Sequence, residues 1–103
     1  MKQLSFEELE ELVIQWAGEK GILEHATPIT QVSKTIEEVA ELVQAIGIEN
    51  RFEQNDAIGD IVVTLIIVNH LLNLNGVAYS LQSAYNVISK RTGVIREGKF
   101  VKD

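Results

Sequence analysis

Lys34-Thr35-Ile36-Glu37-Glu38-Val39-Ala40-Glu41-Leu42-Val43 decides how the rest of the chain reads. It sets three carboxylates inside an otherwise apolar helical pattern. On a helix, residues three and four apart share a face, so Glu38 and Glu41, and Glu37 and Glu41, sit on one side of the same turn. Like charges at that spacing repel unless something positive lies among them. On its own the stretch reads equally well as a solvated acidic stripe, with Ile36, Val39 and Val43 facing the core. A second acidic pair, Asp56 and Asp60, four apart, precedes a long apolar run. Two helices offering carboxylates beside their apolar faces suggest a site for a hard divalent cation such as Mg²⁺ or Mn²⁺, which prefer oxygen ligands.

Working outward, Thr27-Pro28 is a start signal, with Thr27 as N-cap and Pro28 at the first helical position. The pattern Ile29, Val32, Ile36, Val39, Ala40, Val43 and Ile46 predicts a helix over 28–46, with Gly47 as its C-terminal glycine. After a short connection, a helix is predicted over 52–74, ended by Asn75-Gly76. Its segment Ile61-Val-Val-Thr-Leu-Ile-Ile-Val68 is apolar on all sides. Such a helix must be covered all round, which in so short a chain points to the centre of a homo-oligomer. The short connection favours antiparallel neighbours. Glu41 lies about six residues, or about 9 Å of helix, from the loop, and Asp56 and Asp60 lie a similar distance beyond it. The spacing therefore predicts that the two acidic sets meet at one level.

Ser5-Phe-Glu-Glu8 has the form of a capping box opening a helix over 6–17, ended by Gly18 and Gly21. Glu7, Glu8, Glu10 and Glu11 read as its solvated face. A fourth helix is predicted over 78–91, with Leu81, Ala84, Tyr85 and Ile88 on one stripe. Val94 to Asp103 reads as a hairpin or an extended arm around Glu97-Gly98. The expected architecture is an all-α, single-domain four-helix bundle with this short C-terminal appendage, assembled from several copies.

Composition narrows the function. The chain has 103 residues and no Cys, so disulfides, thiolate metal sites and a Cys nucleophile are excluded. The N-terminus shows no basic region followed by an apolar run, and a cytoplasmic setting is the default expectation. The apolar run, broken by Thr64, Asn69 and His70, is too short for a bilayer, so no membrane association is expected. A net charge of −6 argues against a nucleic-acid partner. That charge is unevenly spread. Residues 1–89 hold four Lys or Arg against thirteen Asp or Glu, whereas Lys90, Arg91, Arg96, Lys99 and Lys102 face only Glu97 and Asp103 in the remainder. An acidic body suits metal and a basic tail suits phosphate. Di-iron bundles need Glu-x-x-His pairs, and neither His25 nor His70 follows a Glu by three residues. Carboxylates around Mg²⁺ suit phosphate chemistry instead, with one carboxylate free to take a proton from water.

At these residues the sequence resembles the MazG-like all-α nucleoside triphosphate pyrophosphohydrolases. The resemblance is carried by Lys34, by Glu37-Glu38-Val-Ala-Glu41-Leu42, by Ala57-Ile-Gly-Asp60, and by Asn86-Val-Ile-Ser-Lys90-Arg91. The ending Arg91-Thr-Gly-Val-Ile-Arg-Glu-Gly-Lys-Phe-Val-Lys102 is similar to that of small, phage-type members. It implies a helical bundle built as a homodimer or dimer of dimers, using Mg²⁺ or Mn²⁺. The implied reaction cleaves a nucleoside triphosphate between its α and β phosphates, in nucleotide-pool control or housecleaning. By the same resemblance Glu38, Glu41 and Asp60 would hold metal, Glu37 would be a ligand or the base for water, and Lys34, Asn86, Lys90 and Arg91 would contact the nucleotide or its phosphates. The sequence departs from the pattern at Ala57, where the family carries Glu. Asp56, one residue earlier, is the candidate substitute. The alternatives are a non-catalytic nucleotide-binding oligomer and a phosphoribosyl-ATP pyrophosphohydrolase-like enzyme.

Overall fold

The computed structural model describes residues 2–103. Among them the chain runs through α1 (Phe6–Glu19), α2 (Ile22–His25), α3 (Pro28–Gly47), α4 (Arg51–Leu71) and α5 (Val77–Ile88). It ends in a hairpin of β1 (Gly93–Arg96) and β2 (Lys99–Lys102). The fold is mostly helical, as expected, and the tail is a hairpin rather than an arm.

The boundaries follow from local chemistry. Ser5 and Glu8 close a reciprocal capping box, each backbone N–H donating to the other's side chain at 3.1 Å. Thr27 and Thr30 do the same ahead of Pro28. Asn50, which the periodicity does not single out, caps α4 by accepting from the Glu53 N–H at 3.0 Å. Gly18 lies inside α1, and Gly47 is the last residue of α3, not the C-terminal glycine beyond it. The left-handed residue that ends α1 is Gly21, and the one after α3 is Glu49, whose φ is 55°. Behind Glu49 the Asn50 N–H reaches back to the Ala45 carbonyl, satisfying an end group of the helix. Asn73 plays the same part after α4, so that helix stops at Leu71, not Leu74. The last helix is Val77–Ile88 rather than 78–91, and α2 is a short element that periodicity alone does not reveal. In the hairpin, Glu97 and Gly98 both take positive φ between the paired residues Arg96 and Lys99. This tight turn matches the right-handed twist of the strands. Thr92 closes the open end by donating its hydroxyl to Asp103 at 2.7 Å.

Helix α4 is the centre. It packs along α3 and against α1, and α5 touches it lightly. The most buried apolar residues are Ala17, Ala45, Ala57, Ile66 and Ile67. The alanines on α3 and α4 are small, which lets two helices approach closely. A polar contact pins them together: the Thr35 hydroxyl donates to Thr64 Oγ1 at 2.7 Å, and Thr64 donates to the Ile61 carbonyl. Asn69, buried in α4, accepts from the Gly76 N–H at 2.8 Å and donates to Ser80 Oγ at 2.9 Å. Glu10 of α1 accepts from the Val77 N–H at 2.8 Å. Glu10 is therefore not part of the solvated face expected of its neighbours; it satisfies an unpaired donor at the start of α5. Asn69→Ala removes both side-chain contacts and leaves a buried N–H without its partner, at an expected cost of about 1–3 kcal/mol. Chemical denaturation measures that loss, and hydrogen exchange places it first in α5.

Of the two readings of the acidic stretch, the one that turns its apolar residues to the core is overturned. Ile36, Val39 and Val43 do not face the core of the chain; they are exposed, while Gln31, Glu38 and Ala45 are the buried residues of α3. The stripe Leu81, Ala84, Tyr85 and Ile88 of α5 is likewise uncovered. The solvent-accessible surface of 8127 Å² and the radius of gyration of 15.8 Å are both large for this length. No helix among the described residues is long and apolar enough to cross a membrane.

Candidate metal and phosphate site

The antiparallel packing of α3 on α4 brings the two acidic sets together, as the loop spacing predicts. Glu38, Glu41 and Asp60 each place a carboxylate oxygen within 4.8 Å of the other two. Oxygens bound to one small divalent cation at about 2.1 Å lie roughly 3–4 Å apart, so modest side-chain rotation closes this cluster on an ion.

Glu38 is the unusual member. Its side chain is 9% exposed. One oxygen sits 3.4 Å from Lys34 Nζ. The other, Oε2, is buried and has no hydrogen-bond partner. A buried carboxylate oxygen without a partner is costly, and native structures satisfy such groups with a donor, a water or an ion. Here the neighbouring carboxylates cannot donate when ionised. A hydrogen bond to Glu38 and the repulsion from its charge raise the Glu41 carboxyl above its usual range. Asp60 is raised too, first by burial, then by the charges of Asp56 and Glu38. Lys34 is raised by its bond to Glu38 and by the nearby Glu37 charge, so it stays cationic at neutral pH. The donor set is all oxygen, acidic and short of positive charge, which fits a divalent cation.

These shifts have a consequence for stability. A carboxyl whose folded-state pKa is raised stabilises the fold when protonated, and that stability is lost as pH rises through the folded pKa. In EDTA the melting temperature is therefore expected to fall as pH increases from about 4 to 7. With Mg²⁺ present, ionised carboxylates bind the ion and the trend weakens or reverses. Differential scanning calorimetry across that range reads both arms.

A cavity of about 470 Å³ opens beside the cluster. Lys34, Glu37, Glu38 and Asp60 line its charged side, and Trp16, Ile22, Val63 and Ile67 its apolar side. Gln31, 8% exposed, also lines it, and its side-chain amide makes no hydrogen bond among the described residues. Sequence reading missed Trp16, Ile22 and Gln31 as site residues. For Gln31 a signal was present, because it lies seven residues before Glu38 and so on the same helical stripe. Asp56 lies beside Asp60, whose carboxyl its charge raises, and shares a second cavity of about 270 Å³ with Glu41, Gln44, Glu53 and Ala57. Ala57 itself is 4% exposed.

Asn86, Lys90 and Arg91 line neither acidic cavity. Asn86 accepts from Gln82 on the surface of α5. Arg91 borders an apolar groove with Leu74, Tyr79 and Ile88. Within one chain these three residues are thus not gathered with the carboxylates. No protein-family model, no curated protein and no solved structure matches this chain.

Proposed function

We propose that this chain is a metal-dependent nucleoside triphosphate pyrophosphohydrolase of the MazG-like type, working as an assembly of copies. The observation that carries the reading is Glu38 Oε2, a buried acceptor without a partner, beside Glu41 and Asp60. Glu38, Glu41 and Asp60 would hold the cation, with Asp56 in reserve beside Asp60. A bound Mg²⁺ or Mn²⁺ would neutralise the phosphate oxygens as the anhydride breaks.

The chain's own residues supply the rest. The apolar wall of Trp16, Ile22, Val63 and Ile67 suits a flat base, and its size falls in the range of small-molecule sites. The Gln31 amide offers a donor and an acceptor to the edge of that base. Lys34 stands where it can bind a phosphate oxygen in exchange for Glu38. Glu37, on the same cavity wall, accepts a proton from the attacking water. The water oxygen bonds to the α-phosphorus as the bond to the bridging oxygen breaks, leaving a nucleoside monophosphate and pyrophosphate. Lys90, Arg91 and Asn86 reach phosphate only from a neighbouring copy or after movement of α5.

The buried Ala57 favours a second reading, nucleotide binding without turnover, because the position offers no ligand. Pyrophosphate release from a mixed nucleoside triphosphate pool with Mg²⁺ or Mn²⁺ separates the two. Stoichiometric binding with no pyrophosphate, at high protein concentration and with either metal, rules out the hydrolase. A panel that includes phosphoribosyl-ATP tests the related enzyme.

A further inference from the structure

Among the described residues, Lys34 is the one Lys or Arg that pairs with a carboxylate. Its Nζ lies 3.4 Å from Glu38 Oε1, and its charge also acts on Glu41 and Asp60. The pair is slack. A charge-assisted bond between such groups is about 2.7–2.9 Å long. On a helix the favourable order sets Glu four residues before Lys, and here Lys34 comes four residues before Glu38. The Lys34 side chain is half exposed, where an ion pair contributes little to stability. Yet the carboxylate it holds is buried, and only one of that carboxylate's oxygens is served; Oε2 has no partner.

Two cations that share one carboxylate repel each other at close range. Lys34 therefore opposes a divalent ion that arrives alone at Glu38. The same side chain lines the cavity of about 470 Å³, whose other charged groups are Glu37, Glu38 and Asp60. Those three repel phosphate, and Lys34 is the group on that wall that attracts it. Its flexible four-carbon stem lets Nζ turn from Glu38 into the cavity while the helix backbone stays in place. A slack bond at one end of this turn and an acidic, phosphate-repelling wall at the other make Lys34 a movable charge.

We infer that Lys34 is a placeholder cation: it holds Glu38 in the metal-free protein, resists a divalent ion that comes alone, and turns to a phosphate group that comes with the ion, so that metal and phosphate bind cooperatively. The inference rests on the metal reading of Glu38, Glu41 and Asp60, and it concerns binding alone, not hydrolysis. Coupling between two ligands is reciprocal, so each must strengthen the other by the same factor. Removing the Lys34 charge should then have two linked effects. Metal alone binds more tightly, and phosphate does less to help it.

Titration of the full chain with Mn²⁺, with and without inorganic phosphate, gives the test. The free-ion electron paramagnetic resonance signal reads the affinity, and a protein-free blank corrects for phosphate that binds the ion in solution. Lys34→Met is expected to tighten Mn²⁺ alone by about 5-fold or more, the lower end of typical coupling. Inorganic phosphate is expected to tighten Mn²⁺ on the parent protein and to do so less on the variant. Loss of any nearby positive charge would favour a cation, so the phosphate arm is decisive: only a group that moves to phosphate couples the two. Equal or weaker Mn²⁺ binding by Lys34→Met overturns the inference, and so does a phosphate effect of the same size in both proteins. Should Lys34→Met lose its helical circular dichroism, Lys34→Gln supplies the same comparison. Mn²⁺ bound by neither protein defeats the metal reading and the placeholder with it; Mn²⁺ bound equally by both defeats the placeholder alone.

Discussion

Glu38→Gln is expected to cut pyrophosphate release by roughly 100-fold or more while leaving the helices folded. Loss of a residue that merely orients a metal ligand costs up to about 100-fold, and Glu38 is placed to be a ligand itself. The substitution preserves volume and removes one charge from a cluster in which each carboxyl repels the others. It also replaces a buried oxygen that lacks a partner with an amide that can donate to Glu41 or Asp60. The loss is the contact to Lys34, and Lys34 is half exposed, where such pairs contribute little. The metal-free melting temperature is therefore expected to hold or rise as activity disappears. That opposite movement separates a lost ligand from a damaged fold. Full activity in the variant would remove Glu38 from the site.

Ala57→Glu is the second large effect. It introduces an acidic residue at a position that is buried and lines the cavity of Glu41, Gln44, Glu53 and Asp56. The cavity, at about 270 Å³, has room for the side chain. The charge is the difficulty, since a further carboxylate joins Glu41, Glu53 and Asp56 with no added cation. Without metal the variant is expected to lose about 2 kcal/mol, or roughly 10 °C in melting temperature for a chain this size. With Mn²⁺ the deficit is expected to shrink, because each ion bound only by the folded state returns stability. Thermal melts in EDTA and in Mn²⁺ measure both. An unchanged melt in EDTA would mean that Ala57 does not face the acidic cluster.

The convergence of Glu38, Glu41 and Asp60 was legible in the sequence because it needs only helix rise and a short loop. Six residues on either side of the connection place the acidic turns level, whatever surrounds them. The caps at Ser5 and Thr27 were legible for a similar reason: they are local hydrogen bonds with fixed spacing. The orientation of α3 was not. Its apolar stripe and its acidic stripe are both periodic, and periodicity does not say which neighbour covers which. The natural choice, apolar toward the core, fails here because the stripe of α3 that is covered holds Gln31, Thr35, Glu38 and Ala45, while Ile36 and Val43 stay exposed. Glu10 was misread for a related reason. It sits among three other Glu residues that do face water, and its partner, the Val77 N–H, is 67 residues away. Asn86, Lys90 and Arg91 come from the resemblance alone, and α5 holds them apart from the carboxylates in a single chain.

Titration of Mn²⁺ into the metal-free protein, followed by the loss of the free-ion electron paramagnetic resonance signal, tests the site most directly. A stoichiometric site near neutral pH that disappears in Glu38→Gln and fades on acidification is the predicted result. Absence of binding at millimolar Mn²⁺, or equal binding in the parent and the variant, would contradict it.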